Sequence, residues 1–126
     1  MCLSIIKIKY DKNDKMMIGY KVYIPLIKNY KDFCRSGRRN PGKHYKSEDG
    51  ILTSNFGKSY ENGFHTYLNF KDTKKHLTDK ELIMCKVHIW DIRTIGKQSL
   101  IDKGNTAVAK NLRIVEVYKN GKWYPA

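Results

Sequence analysis

Between residues 35 and 46 the chain reads Arg-Ser-Gly-Arg-Arg-Asn-Pro-Gly-Lys-His-Tyr-Lys, with five cations and no acid. Guanidinium groups present planar, forked donors that match phosphate oxygens, glycine lets backbone N–H groups approach an anion closely, and a tyrosine ring can stack on a base. Arg35, Arg38, Arg39, Lys43, His44, Tyr45 and Lys46 are therefore the first candidates for holding phosphate. Their spacing is not that of a P-loop, and the plainer reading of such a cluster is solvated charge. A second set lies where Lys86, His88 and Trp90 alternate along a β-rich run and Arg93 and Lys97 follow. Cation, imidazole and indole on one strand face form a platform for a base and its phosphate, although antiparallel sheets also turn polar faces to water for solubility alone.

Other chemistry finds weaker footing. His44, His65, His76 and His88 lack zinc-ligand spacing, since Cys85 and His88 point to opposite faces of a strand and His65 and His76 have no cysteine nearby in sequence. No metal or cofactor is expected. Removal of Met1 would leave Cys2 with its own amine as base, a known route to a nucleophile, and His65 sits at a strand end where it could contact phosphate or be a satisfied structural histidine. A transferase of the ADP-ribosyl type built from His65, Tyr67 and Glu116 is a further possibility. The acids Asp72, Glu81, Asp91 and Glu116 are scattered singly and no G-x-S-x-G elbow exists, so no catalytic residue is assigned.

The 126 residues make one domain, and 40% hydrophobic residues suffice for a core. Lys and Arg number 25 against 12 Asp and Glu, a formal charge of +13, and this excess must either repel itself or meet an anion. Cys2, Cys34 and Cys85 are too few and too far apart for a disulfide framework, which fits a reducing compartment. With no long apolar run and no leader-like start, a cytoplasmic location without a membrane is expected.

The elements that must position these residues read mainly as strands. Residues 3–9 and 17–24 suggest a hairpin turning at Asp11 to Lys15, with Ile18, Tyr20, Val22 and Ile24 facing the core. Residues 25–62 are punctuated by Pro and Gly and read as a long basic loop, with a short helical turn near residues 29–34. Residues 63–67 read as a strand, and Asn69 caps a helix over residues 70–76 whose inward stripe is Phe70, Thr73 and Leu77. In residues 81–90, Ile83, Cys85, Val87 and Ile89 face inward and Met84, Lys86, His88 and Trp90 outward. A loop over residues 93–104 leads to residues 106–109 and a strand at 112–118, where the Ile114-Val115 pair suggests burial on both sides. Asn120-Gly121 is a hairpin turn. The expected fold is α+β, a compact single domain over residues 1–126 dominated by an antiparallel sheet, with one short helix and a long basic loop.

From Gly63 onward the chain resembles small uncharacterised proteins of phages and large viruses. The shared features are G-F-H-x-Y (residues 63–67) before a short helix, a strand like residues 83–89, and the stretch Ala-Lys-Asn-Leu-Arg-Ile-Val-Glu-Val at residues 109–117; the opening Met-Cys-Leu is similar too. The resemblance covers under half the chain and implies a phage-encoded accessory protein acting on a host process, with no catalytic residues to carry over. The expectation is a non-enzymatic module binding nucleic acid or a phosphorylated nucleotide, with docking on an acidic host protein as the alternative and a small transferase or hydrolase using Cys2 or His65 as a third.

Overall fold

The computed structural model describes residues 3–26, 30–32, 38–54, 57–99 and 104–126. In chain order its strands are β1 (Ile5–Lys9), β2 (Met16–Pro25), β3 (Tyr30–Asp32), β4 (Arg38–Arg39), β5 (Tyr45–Lys46), β6 (Ile51–Thr53), β7 (Ser59–Glu61), β8 (Phe64–Tyr67), β9 (Ile83–Lys97), β10 (Thr106–Lys119) and β11 (Lys122–Pro125). Helix α1 (Phe70–Lys74) lies between β8 and β9. The described residues are thus mostly antiparallel sheet with one short helix. None of their helices is long and apolar enough to cross a membrane.

The long strands β9 and β10 pair with each other and carry most of the main sheet, from which β3 and β4 extend beyond β2, while β6 and β7 pair in a separate two-stranded sheet. On the far edge of β9 lie β1 and β2 end to end, and on the far edge of β10 lie β8, β5 and β11. The link between Tyr20 and Tyr67 joins β2 to β8, so the path β2–β9–β10–β8 returns to its start. Such closure needs bent strands. The β9–β10 register shifts twice, leaving Arg93 and Val115 as extra residues, and Asp91 between Trp90 and Ile92 has φ 56°. Bulges sharpen the twist and bend a ribbon, which lets two fourteen- and fifteen-residue strands wrap around a core instead of running flat.

That core contains Val87, Ile89, Ile92, Leu112 and Ile114 with Tyr23 and Cys85, all essentially buried. Ile83, Cys85, Val87 and Ile89 face inward as the alternation predicts. Burial pushes the Cys85 thiol up to about 12, well above an ordinary cysteine. Cys85 is therefore expected to resist alkylation at pH 8 in the folded protein and to react in denaturant. Peptide mass mapping checks this, and equal labelling in both states would contradict the burial.

Several expectations are corrected. β1 and β2 do not form a hairpin: both pair with β9, at residues 94–97 and 83–90. The turn-forming residues 11–15 instead step around the bulge. Tyr10 N–H donates to Arg93 O at 2.8 Å, and Asn13 donates from its backbone N–H to Asp91 Oδ1 at 3.1 Å and from Nδ2 to Ile92 O at 2.8 Å. Of the β2 residues expected to face the core Val22 is buried, but around Gly19 the faces are reversed. Gly19, Lys21 and Tyr23 sit opposite Val87, Cys85 and Ile83, whereas Ile18 is 49% exposed. Two residues read as outward, Gly19 and Lys21, are accommodated inside for physical reasons. A Cβ on Gly19 would lie 2.0 Å from Thr66 Cγ2, so only glycine lets β2 approach β8, and Lys21 Nζ donates to His65 O at 2.8 Å.

The expected loop over residues 93–104 begins later, because β9 continues to Lys97, and residues 106–109 and 112–118 belong to one strand. Val115 is half-buried because it is the bulge residue, so the pair with Ile114 is not buried on both sides. Met84, expected outward, is fully buried: it lies opposite Val22 and Tyr118, at the end of the face where Phe70 packs against Tyr20, Tyr118 and Trp123. Within residues 25–62 the described parts contain β3 to β7, and Tyr30–Asp32 is strand where a helical turn was expected. The remainder of residues 29–34 lies outside the described residues.

Two local signals read as expected. Asn69 Oδ1 accepts from Asp72 N–H at 3.0 Å, capping α1, and Asn120 and Gly121 take φ 50° and 78° in the turn joining β10 to β11.

Candidate functional site

Residues directly opposite one another in adjacent strands project on the same face. Met16 lies opposite Trp90, Trp90 opposite Asn111, and Asn111 opposite Lys46, so one row crosses β2, β9, β10 and β5. The next row is Ile18, His88 and Arg113, and the next Tyr20, Lys86 and Glu116. In the first two rows Met16 is 55% and Ile18 49% exposed, His88 and Trp90 are half-buried, and Arg113 and Lys46 are exposed. The third row is closed. Lys86 Nζ lies 4.6 Å from the Trp123 ring and 3.5 Å from Glu116 Oε2, while Tyr20 contacts Phe70 and Trp123.

Trp90 organises the open part. The His44 imidazole lies on it with ring centres 4.7 Å apart and planes 40° tilted, and the Arg113 guanidinium is 5.9 Å from its ring. His44 Nε2 is 2.8 Å from Asn111 Oδ1, and Asn111 Nδ2 donates to Trp90 O at 3.5 Å. With the Asn111 amide donating there, its oxygen accepts from His44 Nε2–H, which fixes the imidazole over the indole.

The basic segment reaches this position by pairing with the free edge of β10. Gly42 N–H donates to Ile114 O at 2.9 Å and Ser47 N–H to Lys110 O at 2.8 Å, on either side of the Leu112–Tyr45 and Asn111–Lys46 pairs. Tyr45, next to Lys46, consequently turns to the opposite face and packs against the core. Its hydroxyl accepts from Asn40 N–H at 2.6 Å, and the Arg39 and Lys43 cations lie 5.0 and 5.6 Å from its ring. Tyr45 therefore anchors the segment and is not part of the stacking face.

Of the sequence candidates, the structure brings together His44, Lys46, His88 and Trp90, with Lys86 at the margin and Arg39 and Lys43 around Tyr45. It separates Arg93 and Lys97 from them. Arg93 is the bulge residue: its Nε and Nη2 donate to Asp91 Oδ1 at 2.9 Å and Oδ2 at 3.2 Å, and Nη1 pairs with Glu61. This guanidinium, with the Asn13 N–H behind it, holds the Asp91 carboxyl below the usual carboxylate range against the opposing effect of burial, and Asp91 raises Arg93 in turn. Lys97 lies opposite Ile5 at the far end of β9. Arg35, Cys2 and the Arg38 side chain lie outside the described residues, although the Arg38 backbone pairs with Lys31.

His65 is buried, with Nδ1 3.2 Å from Gly63 O and Nε2 2.9 Å from Tyr60 Oη, whose oxygen also accepts from Leu3 N–H at 2.9 Å. Both ring nitrogens are thus engaged, and the Nε2 contact through Tyr60 links β7 and β8 to Leu3. Among the described residues no three His, Cys, Asp or Glu side chains gather to hold a metal. Met16, Ile18, Asn111 and Arg113 were missed as site residues. The alternation of Leu112, Arg113 and Ile114 would have found Arg113, and reading Gly19 as an inward close approach would have exposed Met16 and Ile18.

Comparison with protein families, curated proteins and solved structures found no match.

Proposed function

We propose that this protein is a binding module that holds a phosphate-bearing partner, nucleic acid or nucleotide, on the open face of β2, β9, β10 and β5. The observation that carries the reading is the row Met16–Trp90–Asn111–Lys46, which puts the exposed Met16 and the half-buried Trp90 on one face with the Lys46 cation. Arg113 and His44 flank Trp90, and the carboxylate of these rows, Glu116, is already paired with Lys86. The charge of +13 favours the approach of an anion to these cations. The accessory role in a host cell implied by the viral resemblance belongs to the same proposal.

Replacing the exposed Lys46 and Arg113 together by Ala is expected to weaken nucleic-acid binding and to flatten the plot of log affinity against log salt by about 1.5, since each lost phosphate contact removes roughly 0.7–0.9 from the slope. Titrations between low and moderate salt read both. An unchanged slope and affinity for every phosphate ligand tried would remove this face from the site.

A further inference from the structure

Resting on that reading, we infer that the occupant is a single-stranded nucleic acid, its bases lying on Met16, Ile18, His88 and the paired His44–Trp90 rings, and its phosphates meeting Lys46 and Arg113. The face is graded in chemistry across the sheet. Its β2 side offers Met16 and Ile18, both about half exposed, its centre the imidazole and indole of β9, and its β10–β5 side the two exposed cations. Adjacent strands are about 4.8 Å apart and same-face neighbours about 7 Å apart, so the open patch spans roughly 14 by 7 Å.

Base faces in a duplex are stacked inside it, and what it shows a protein is phosphate, sugar and groove edges. A duplex would satisfy Lys46 and Arg113 but leave Met16 and Ile18 in water. A single strand exposes its base faces, and every base has a π-face to lay on an aromatic or apolar surface, whatever its identity. The patch is also longer than one base. It is bounded where Lys86 turns to Trp123 and Phe70 covers Tyr20 and Tyr118, which leaves room for two or three bases, the number other nucleic-acid-binding sheets stack. His44, fixed by Asn111 on top of Trp90, extends the ring surface toward the cations.

The test is fluorescence anisotropy with three labelled probes at one salt concentration: an oligothymidylate of about 12 nucleotides, a duplex of the same length, and thymidine monophosphate. The oligothymidylate is expected to bind at least about tenfold more tightly than either other probe, and Trp90→Ala to weaken it about 5- to 100-fold. Ile18→Ser, at an exposed position whose change leaves the core intact, is expected to weaken it several-fold and keeps the test valid if Trp90→Ala fails to fold. Equal binding of duplex and single strand, with Ile18→Ser silent and the Lys46/Arg113 variant impaired, would overturn the single-strand inference and leave the phosphate reading standing. No binding of any probe, with an acidic protein retained after nuclease treatment, would overturn both.

Discussion

Asp91→Ala is expected to lower the unfolding free energy by about 3 kcal/mol, near the lower end of the usual cost of breaking a buried ion pair because Glu61 still partners Arg93. Asp91 is buried, and its carboxylate accepts three hydrogen bonds at the point where the central ribbon bends. It accepts two bonds from the Arg93 guanidinium and one from Asn13 N–H, and its backbone holds φ 56°. Alanine loses the first three and is strained in the last. Asp91→Asn separates these contributions, because Asn tolerates that φ and its oxygen can still accept from Asn13. The expected order in urea midpoint is wild type, then Asp91→Asn, then Asp91→Ala. A loss under about 1 kcal/mol for Asp91→Ala would mean that the Arg93 contact is incidental to the bend.

The same pair sets an acid limb. Because Arg93 lowers the carboxyl in the folded chain relative to the unfolded one, its stabilisation is fully present above the ordinary carboxylate range near 3.9 and is lost as pH falls through that range and below. Stability measured from pH 7 down to pH 3 is therefore expected to fall less steeply in Asp91→Asn than in wild type. Parallel curves would assign the acid sensitivity to other carboxylates.

How much of this could be read from the sequence varies with the range of the interaction. The inward set of β9, the Asn69 cap and the Asn120-Gly121 turn were legible, since each depends on residues within a few positions of one another. The basic character of residues 35–46 and the outward Lys86–His88–Trp90 set were legible as composition and period. Their meeting was not, because it rests on Lys46 pairing with Asn111 and His44 stacking on Trp90, contacts that no local pattern encodes. The same limit explains why the turn residues 11–15 suggested a hairpin when their hydrogen bonds go to Asp91, Ile92 and Arg93, and why Arg93 was grouped with Trp90. A bulge changes which way a side chain points without leaving a mark in the alternation. β2 shows the sharpest failure. Treating Gly19 and Lys21 as outward reversed the strand and hid Met16 and Ile18, the side chains that give the candidate site its apolar half.

Gly19→Ala is expected to cost about 1–3 kcal/mol, the usual range for overpacking, because the added methyl would sit 2.0 Å from Thr66 Cγ2 and 3.3 Å from Tyr67 O. Thr66 is fully buried and β-branched, so it has little freedom to turn away. Among the described residues its Oγ1 has no hydrogen-bond partner, so Thr66→Ala removes both the obstructing methyl and an unsatisfied hydroxyl, and the lost contact and the lost penalty should nearly cancel. The double variant should then recover most of the loss, with a coupling of at least about 1 kcal/mol in a urea double-mutant cycle. Simple additivity would show that β2 and β8 do not close on each other at this point. The cycle also reaches the proposed binding face, since Ile18 and Tyr20 flank Gly19 on the outer side of β2. If closure of β2 on β8 holds that outer row in place, Gly19→Ala weakens oligothymidylate binding and the second substitution restores it, although neither residue touches the ligand.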